Sequence, residues 1–223
     1  MTLNLYTTNS SNGQRASIML EESGLPYTAH KVDMSLGAKK LPEALQKSPS
    51  SDVPALIDED GPGGEVVVLW QSAAIALYAA EKSGKFIPRD AAERAQVIQW
   101  LVQTVADVAA ASYTLYYLVG NMTEATGKQG AEFFERRLLR YLDTCDRQLS
   151  ETPFLGGTLS VADFALYPVV AFRRRIIHQA GGLKNLNRWA EALGERDGVK
   201  KGMAIAGFPR EPEWGERISK AVS

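Results

Sequence analysis

The hydrophobic pattern of this chain changes character once, near Gly84, and that change sets what it can fold into. Before it, short alternating or continuous apolar runs are interleaved with helix-period segments. After it, strand signals stop and only helical periodicity remains. In the first part, Leu3-Asn4-Leu5-Tyr6 alternates and predicts a strand. Asn9 to Gly13 reads as a polar turn, and Gln14–Ser23 as a helix stopped by Gly24 and Pro26. A weaker strand is expected over Tyr27–Asp33, and a helix over Lys40–Gln46 with Pro42 near its start. Val53–Ile57 and Val66–Trp70 predict two more strands joined through the turn-rich DEDGPGG segment, and Ser72–Lys82 predicts a helix. The expected order is βαβ followed by ββα.

Phe86-Ile87-Pro88-Arg89-Asp90 reads as a linker. Beyond it, helices are expected over residues 91–120, 127–149, 161–179 and 183–195. In the second of these, Leu138, Leu142, Cys145 and Leu149 fall on one stripe, which accounts for Cys145 as a small core residue. The chain is therefore α+β at the level of the whole molecule. A mixed domain over residues 1–84 precedes an all-helical domain over residues 90–223.

Composition narrows the function. A net charge of −1 supplies no field that would draw nucleic acid or an anionic membrane, so neither is an expected partner. One cysteine cannot form an internal disulfide, a CxxC pair or a thiolate metal cluster, and no metal is expected. Without a signal-like N-terminus or an apolar stretch long enough to span a bilayer, the expectation is a cytoplasmic protein.

Three local features bear on chemistry. Val53-Pro54 opens a strand; a cis bond there would turn the Val53 backbone outward to pair with an extended peptide, while a trans bond would make Pro54 an ordinary edge proline. Ser72 follows Gln71 at a helix start, where it can cap the helix, or, with the first N–H groups, receive a small carboxylate. Ser10-Ser11-Asn12-Gly13 can cap the first helix or donate hydrogen bonds to a thiolate held there.

The segments TTNSSNGQR, SPSSDVPALID, VLWQSAAIALYAAEKSG and PFLGGTLSVADFALYP, in that order, resemble the soluble glutathione transferases. The Ser-Asn-Gly turn and the run VDMSLGAKKLPEALQKSPSSDVP are most similar to the bacterial Nu class and the fungal prion-related branch. The resemblance implies a thioredoxin-like first domain, a helical-bundle second domain, a homodimer, and glutathione or glutathione disulfide as co-substrate. It implies that Ser10 and Asn12 approach the sulfur, that Val53 and the cis-proline Pro54 meet the cysteinyl unit, that Gln71 and Ser72 hold the γ-glutamyl end, and that Lys39 or Lys40 meets the glycyl carboxylate. Ser160 to Asp163 matches the family's capping box, a folding signal.

Asp52 departs from the pattern, since relatives often carry lysine there; Lys39, Lys40 or Lys47 could neutralise it. Tyr6 is expected to pack rather than react. Trp100, Tyr113, Tyr116 and Tyr117 are either walls for a second substrate or packing residues, and Arg173-Arg174-Arg175 either attracts an acidic substrate or is a solvated run. The activity implied is glutathione-dependent disulfide reduction, with a small disulfide or electrophile as second substrate. The alternatives are conjugation of glutathione to apolar electrophiles and a non-catalytic binding protein on the same scaffold.

Overall fold

A computed structural model describes residues 3–33 and 52–216. The helix expected over 40–46 lies outside the described residues, as do Lys39, Lys40 and Lys47. By contact the chain divides into two units, one comprising residues up to Pro88 together with Gly194–Pro209, the other Arg89–Leu193 together with the residues from Arg210 onward.

The first unit is built on a four-stranded sheet. Strand β1 (Leu3–Thr7) alternates buried and half-buried side chains, as its sequence predicts. It pairs in parallel with β2 (Tyr27–Lys31) and antiparallel with β3 (Ala55–Asp58), which pairs antiparallel with β4 (Val67–Trp70). The order is β2-β1-β3-β4, and every residue of the central β3 is buried. Helix α1 (Ser11–Ser23) ends at Gly24, whose φ of 73° is the left-handed conformation that a Cβ would oppose. It starts three residues before the expected position because Ser10 acts as its N-cap, which draws Asn12 and Gly13 into the first turn. Helix α2 (Ser72–Ser83) follows β4, and its Ile75, Ala76, Ala79 and Ala80 are buried with Ile18, Met19 and Leu20 of α1.

The second unit is helical. Helix α3 (Ala91–Gln103) passes through a π-helical turn, Thr104–Ala109, into α4 (Ala110–Asn121). Helix α5 (Glu124–Glu151) buries Leu138, Leu142, Cys145 and Leu149, the predicted stripe. The single helix expected over 161–179 is instead two, α6 (Val161–Phe172) and α7 (Arg174–Ala180), broken at Arg173. Helix α8 (Lys184–Gly194) follows. Asp163 closes the capping box by accepting from Ser160 N and Oγ, both at 3.0 Å, and it also takes Leu155 N at 3.0 Å and Trp189 Nε1 at 2.9 Å. Burial raises its pKa, and these four donors oppose the shift.

Helix α9 (Asp197–Ala206) has no counterpart in the sequence reading, and by contact it groups with the first unit. It packs on α1. A Cβ at Gly202 would lie 2.4 Å from Ile18 Cα, so only glycine allows the two backbones this close. Val199, Met203 and Ala206 are buried beside it. No helix among the described residues is long and apolar enough to cross a membrane.

Candidate functional site

Strand register gathers the candidate residues at one end of the sheet. Tyr6 on β1 pairs with Ala55 on β3, and Ala55 pairs with Trp70 on β4. The residues after β1 (the turn leading to Ser10), before β3 (Val53 and Pro54) and after β4 (Gln71) therefore leave the sheet at the same edge. The Val53–Pro54 bond is cis, as one of the two sequence readings required. Pro54 is buried, and half-buried Val53 packs with Tyr6 against Val32 and Ala55.

The turn after β1 is set by Gly13. A Cβ there would meet Thr8 O at 2.4 Å and Thr7 Oγ1 at 2.5 Å, so a larger residue would push α1 off the strand end. Ser10, extended at φ −156°, accepts from Gly13 N at 3.0 Å through Oγ. That bond uses a lone pair and leaves the hydroxyl proton to donate elsewhere.

Ser72 is not the cap of α2. Gln71 occupies the N-cap position with φ 72° and ψ 112°, and no side chain caps the helix. Positive φ at a non-glycine is strained, and such strain collects where function constrains the backbone. The exposed Gln71 side chain and the buried Ser72 are placed by that bend.

Ser72 is instead turned toward α1. The guanidinium of Arg15, 1% exposed, donates through Nη1 to Asn12 Oδ1 at 2.8 Å and to Ser72 Oγ at 2.6 Å. Ser72 Oγ lies 3.5 Å from Asn12 Oδ1. Burial pulls the Arg15 pKa down to about 10, so the group stays cationic at neutral pH. Neither α1 nor α2 carries an acidic residue in its first turn. Two helix N-termini and the Arg15 cation thus converge, which favours an anionic or polar ligand. Sequence reasoning missed Arg15; the available signal was its i+3 spacing from Asn12 on the predicted helix.

The other candidates are accounted for by contacts within their own units. Tyr6 stacks on His30 with ring centroids 4.7 Å apart, a packing role. Asp52 is exposed. Cys145 is buried, and burial pushes its thiol up to about 12, far from thiolate reactivity. The arginine triplet splits. Arg173 is buried and donates to Ser112 Oγ at 2.9 Å and Ser112 O at 2.5 Å, while Arg175 pairs with Glu211 at 3.0 Å. Trp100 is buried, and Tyr113 and Tyr117 share a hydroxyl–hydroxyl bond of 3.1 Å.

Two family models match the chain. Residues 9–82 match the glutathione S-transferase N-terminal domain, and residues 128–192 match the C-terminal domain. The chain belongs to the glutathione S-transferase family. It is 29% identical to the disulfide-bond oxidoreductase YfcG of Escherichia coli, over 97% of this chain and 89% of that protein. It is 30% identical to YghU of the same organism, also a disulfide-bond oxidoreductase, over 91% and 74%. A Pseudomonas putida glutathione transferase, solved with one glutathione disulfide bound per subunit, superposes with a TM-score of 0.84 at 31% identity and 92% coverage of both chains.

Proposed function

We propose that this protein is a cytoplasmic, homodimeric glutathione-dependent disulfide-bond oxidoreductase. The observation that carries the reading is the convergence of Asn12 and Ser72 at two helix N-termini whose first turns hold no acid. A tripeptide with a thiol at its middle and a carboxylate at its γ-glutamyl end matches both ends of that arrangement. Ser10 Oγ–H and Asn12 Nδ2–H donate to the sulfur, and Gln71, Ser72 and the α2 N–H groups take the γ-glutamyl carboxylate. The Val53 backbone, ahead of Pro54, pairs with the cysteinyl unit, and Lys39 or Lys40 takes the glycyl carboxylate.

Thiolate is the nucleophile in disulfide exchange, and donors aimed at the sulfur stabilise it without a general base. Bound glutathione thiolate attacks one sulfur of a small disulfide RSSR. A glutathionyl–SR bond forms, the S–S bond breaks, and RS⁻ leaves and takes up a proton. A second glutathione thiolate then attacks the mixed disulfide, yielding glutathione disulfide and the second RSH. The balance is two glutathiones oxidised for one disulfide reduced. No protein thiol takes part, in keeping with the buried Cys145.

The test measures turnover of hydroxyethyl disulfide and of a chloronitrobenzene side by side, with calorimetry of glutathione and glutathione disulfide. Faster disulfide turnover is expected. Dominant conjugation would make the protein a transferase of electrophiles, and no heat with either ligand would leave a binding protein on the same scaffold.

A further inference from the structure

We infer that Arg15 is a positioning residue that holds Asn12 and Ser72 in the donor orientation that the two ends of bound glutathione require. The inference rests on the glutathione reading above. A guanidinium has only donors, so whichever atom of the Asn12 amide faces it must be the carbonyl oxygen. The Asn12 Nδ2 group then occupies the other branch of the planar amide, directed away from Arg15, where it can donate. The same logic applies at Ser72. Arg15 occupies an oxygen lone pair at 2.6 Å, and the hydroxyl proton is left for an acceptor other than Arg15. The one nearby acceptor within the tie, Asn12 Oδ1, is at the 3.5 Å limit.

One nitrogen thus fixes two donors that stand on different helices, 57 residues apart between Arg15 and Ser72. A flexible Asn12 would present its oxygen to the sulfur in part of the population, and an oxygen repels a thiolate. Arg15 removes that population. Its buried charge also lies behind both anionic centres of the ligand, where a low dielectric strengthens its field. At 1% exposure it acts through Asn12 and Ser72. Lysine is not equivalent, because a single ammonium lacks the planar fork that holds partners in fixed directions.

The test compares wild type with Arg15→Lys and Arg15→Met in the full chain. The thiol of bound glutathione is titrated by its thiolate ultraviolet absorbance, and S-methylglutathione, which has no thiol, reports on the Ser72 end by calorimetry. Arg15→Met is expected to raise the bound thiol's pKa by about one unit and to weaken S-methylglutathione about tenfold. Arg15→Lys, which keeps the buried charge and serves where Arg15→Met does not fold, is expected to move the titration by about half as much and to weaken S-methylglutathione several-fold. A lowered melting temperature with titration and affinity unmoved in Arg15→Lys would make Arg15 a structural strut and overturn the assignment. Absence of wild-type binding to glutathione, its disulfide and S-methylglutathione would instead remove the glutathione reading, and this inference with it.

Discussion

Arg196 straddles the carboxylate of Glu22, with Nε 2.9 Å from Oε1 and Nη2 2.6 Å from Oε2. This two-point pair joins the residue before α9 to the far end of α1, 174 positions earlier in the chain. The Glu22 side chain is 5% exposed and that of Arg196 38%, so removing the arginine strands a nearly buried carboxylate. Arg196→Ala is expected to cost about 1–2 kcal/mol, with solvent at the arginine screening the rest. Urea denaturation of Arg196→Ala, Glu22→Gln and the double variant checks it. The double variant should cost less than the sum of the singles.

Two glycine substitutions are expected to act in opposite directions. Gly202→Ala drives a Cβ to within 2.4 Å of Ile18 Cα and 2.5 Å of Ile18 N, both backbone atoms that cannot step aside. It should destabilise by about 2 kcal/mol or more. Gly130→Ala, inside α5, meets only the flexible Leu118 side chain, with Cδ1 at 3.3 Å, and should stabilise by about 0.5 kcal/mol through helix propensity. Thermal and urea midpoints of the two variants decide the signs.

Asp58 makes folding depend on acid pH. Burial pushes its pKa up, but Lys82 Nζ and Tyr78 Oη, both at 2.5 Å, and Asp60 N at 3.0 Å outweigh it and hold the carboxyl below its ordinary value. The unfolded chain therefore binds more protons in the window between the folded pKa and about 3.9. This stabilisation is present above that window and is lost as pH falls through the folded pKa. Asp58→Asn should be less stable at neutral pH and show a shallower loss between about pH 4 and pH 2. Urea midpoints across that range test the slope.

Cys145→Ala is expected to leave disulfide turnover within about twofold of wild type while losing about 1 kcal/mol of stability from the vacated volume. A thiol-blocking reagent should label wild type only when it unfolds, since the side chain is 1% exposed. Loss of turnover in Cys145→Ala with the fold intact would contradict a mechanism in which glutathione brings the only reacting thiol.

Substitutions at the two convergent donors should separate in kinetics. Asn12→Ala is expected to lower kcat for hydroxyethyl disulfide about a hundredfold, because a donor to developing charge is lost. Ser72→Ala should mainly raise KM for glutathione, about tenfold, because its contact is to the carboxylate in ground and transition states alike. Steady-state kinetics with glutathione varied at saturating disulfide distinguishes the two patterns.

Local chemistry made much of this legible before any coordinates. Alternation in Leu3–Tyr6, the stop at Gly24, the stripe through Leu138 and Cys145, and the box from Ser160 to Asp163 each depend on neighbours within a few residues, so the sequence by itself determines them. The candidate residues Ser10, Asn12, Val53, Pro54, Gln71 and Ser72 were legible as a family pattern. Their mutual arrangement was not, because strand pairing joins distant segments. Only the tertiary structure decided that Ser72 turns toward Arg15 instead of capping α2, that Arg173 leaves the surface to hold Ser112, and that α9 belongs with the first unit. The physical reason is shared. A charged or small residue reads as solvent-facing or neutral in a local window, and its meaning is set by which distant group it meets when both are buried. Arg15 stands one turn from Asn12 in sequence, yet the hydroxyl that completes its site arrives from a different helix.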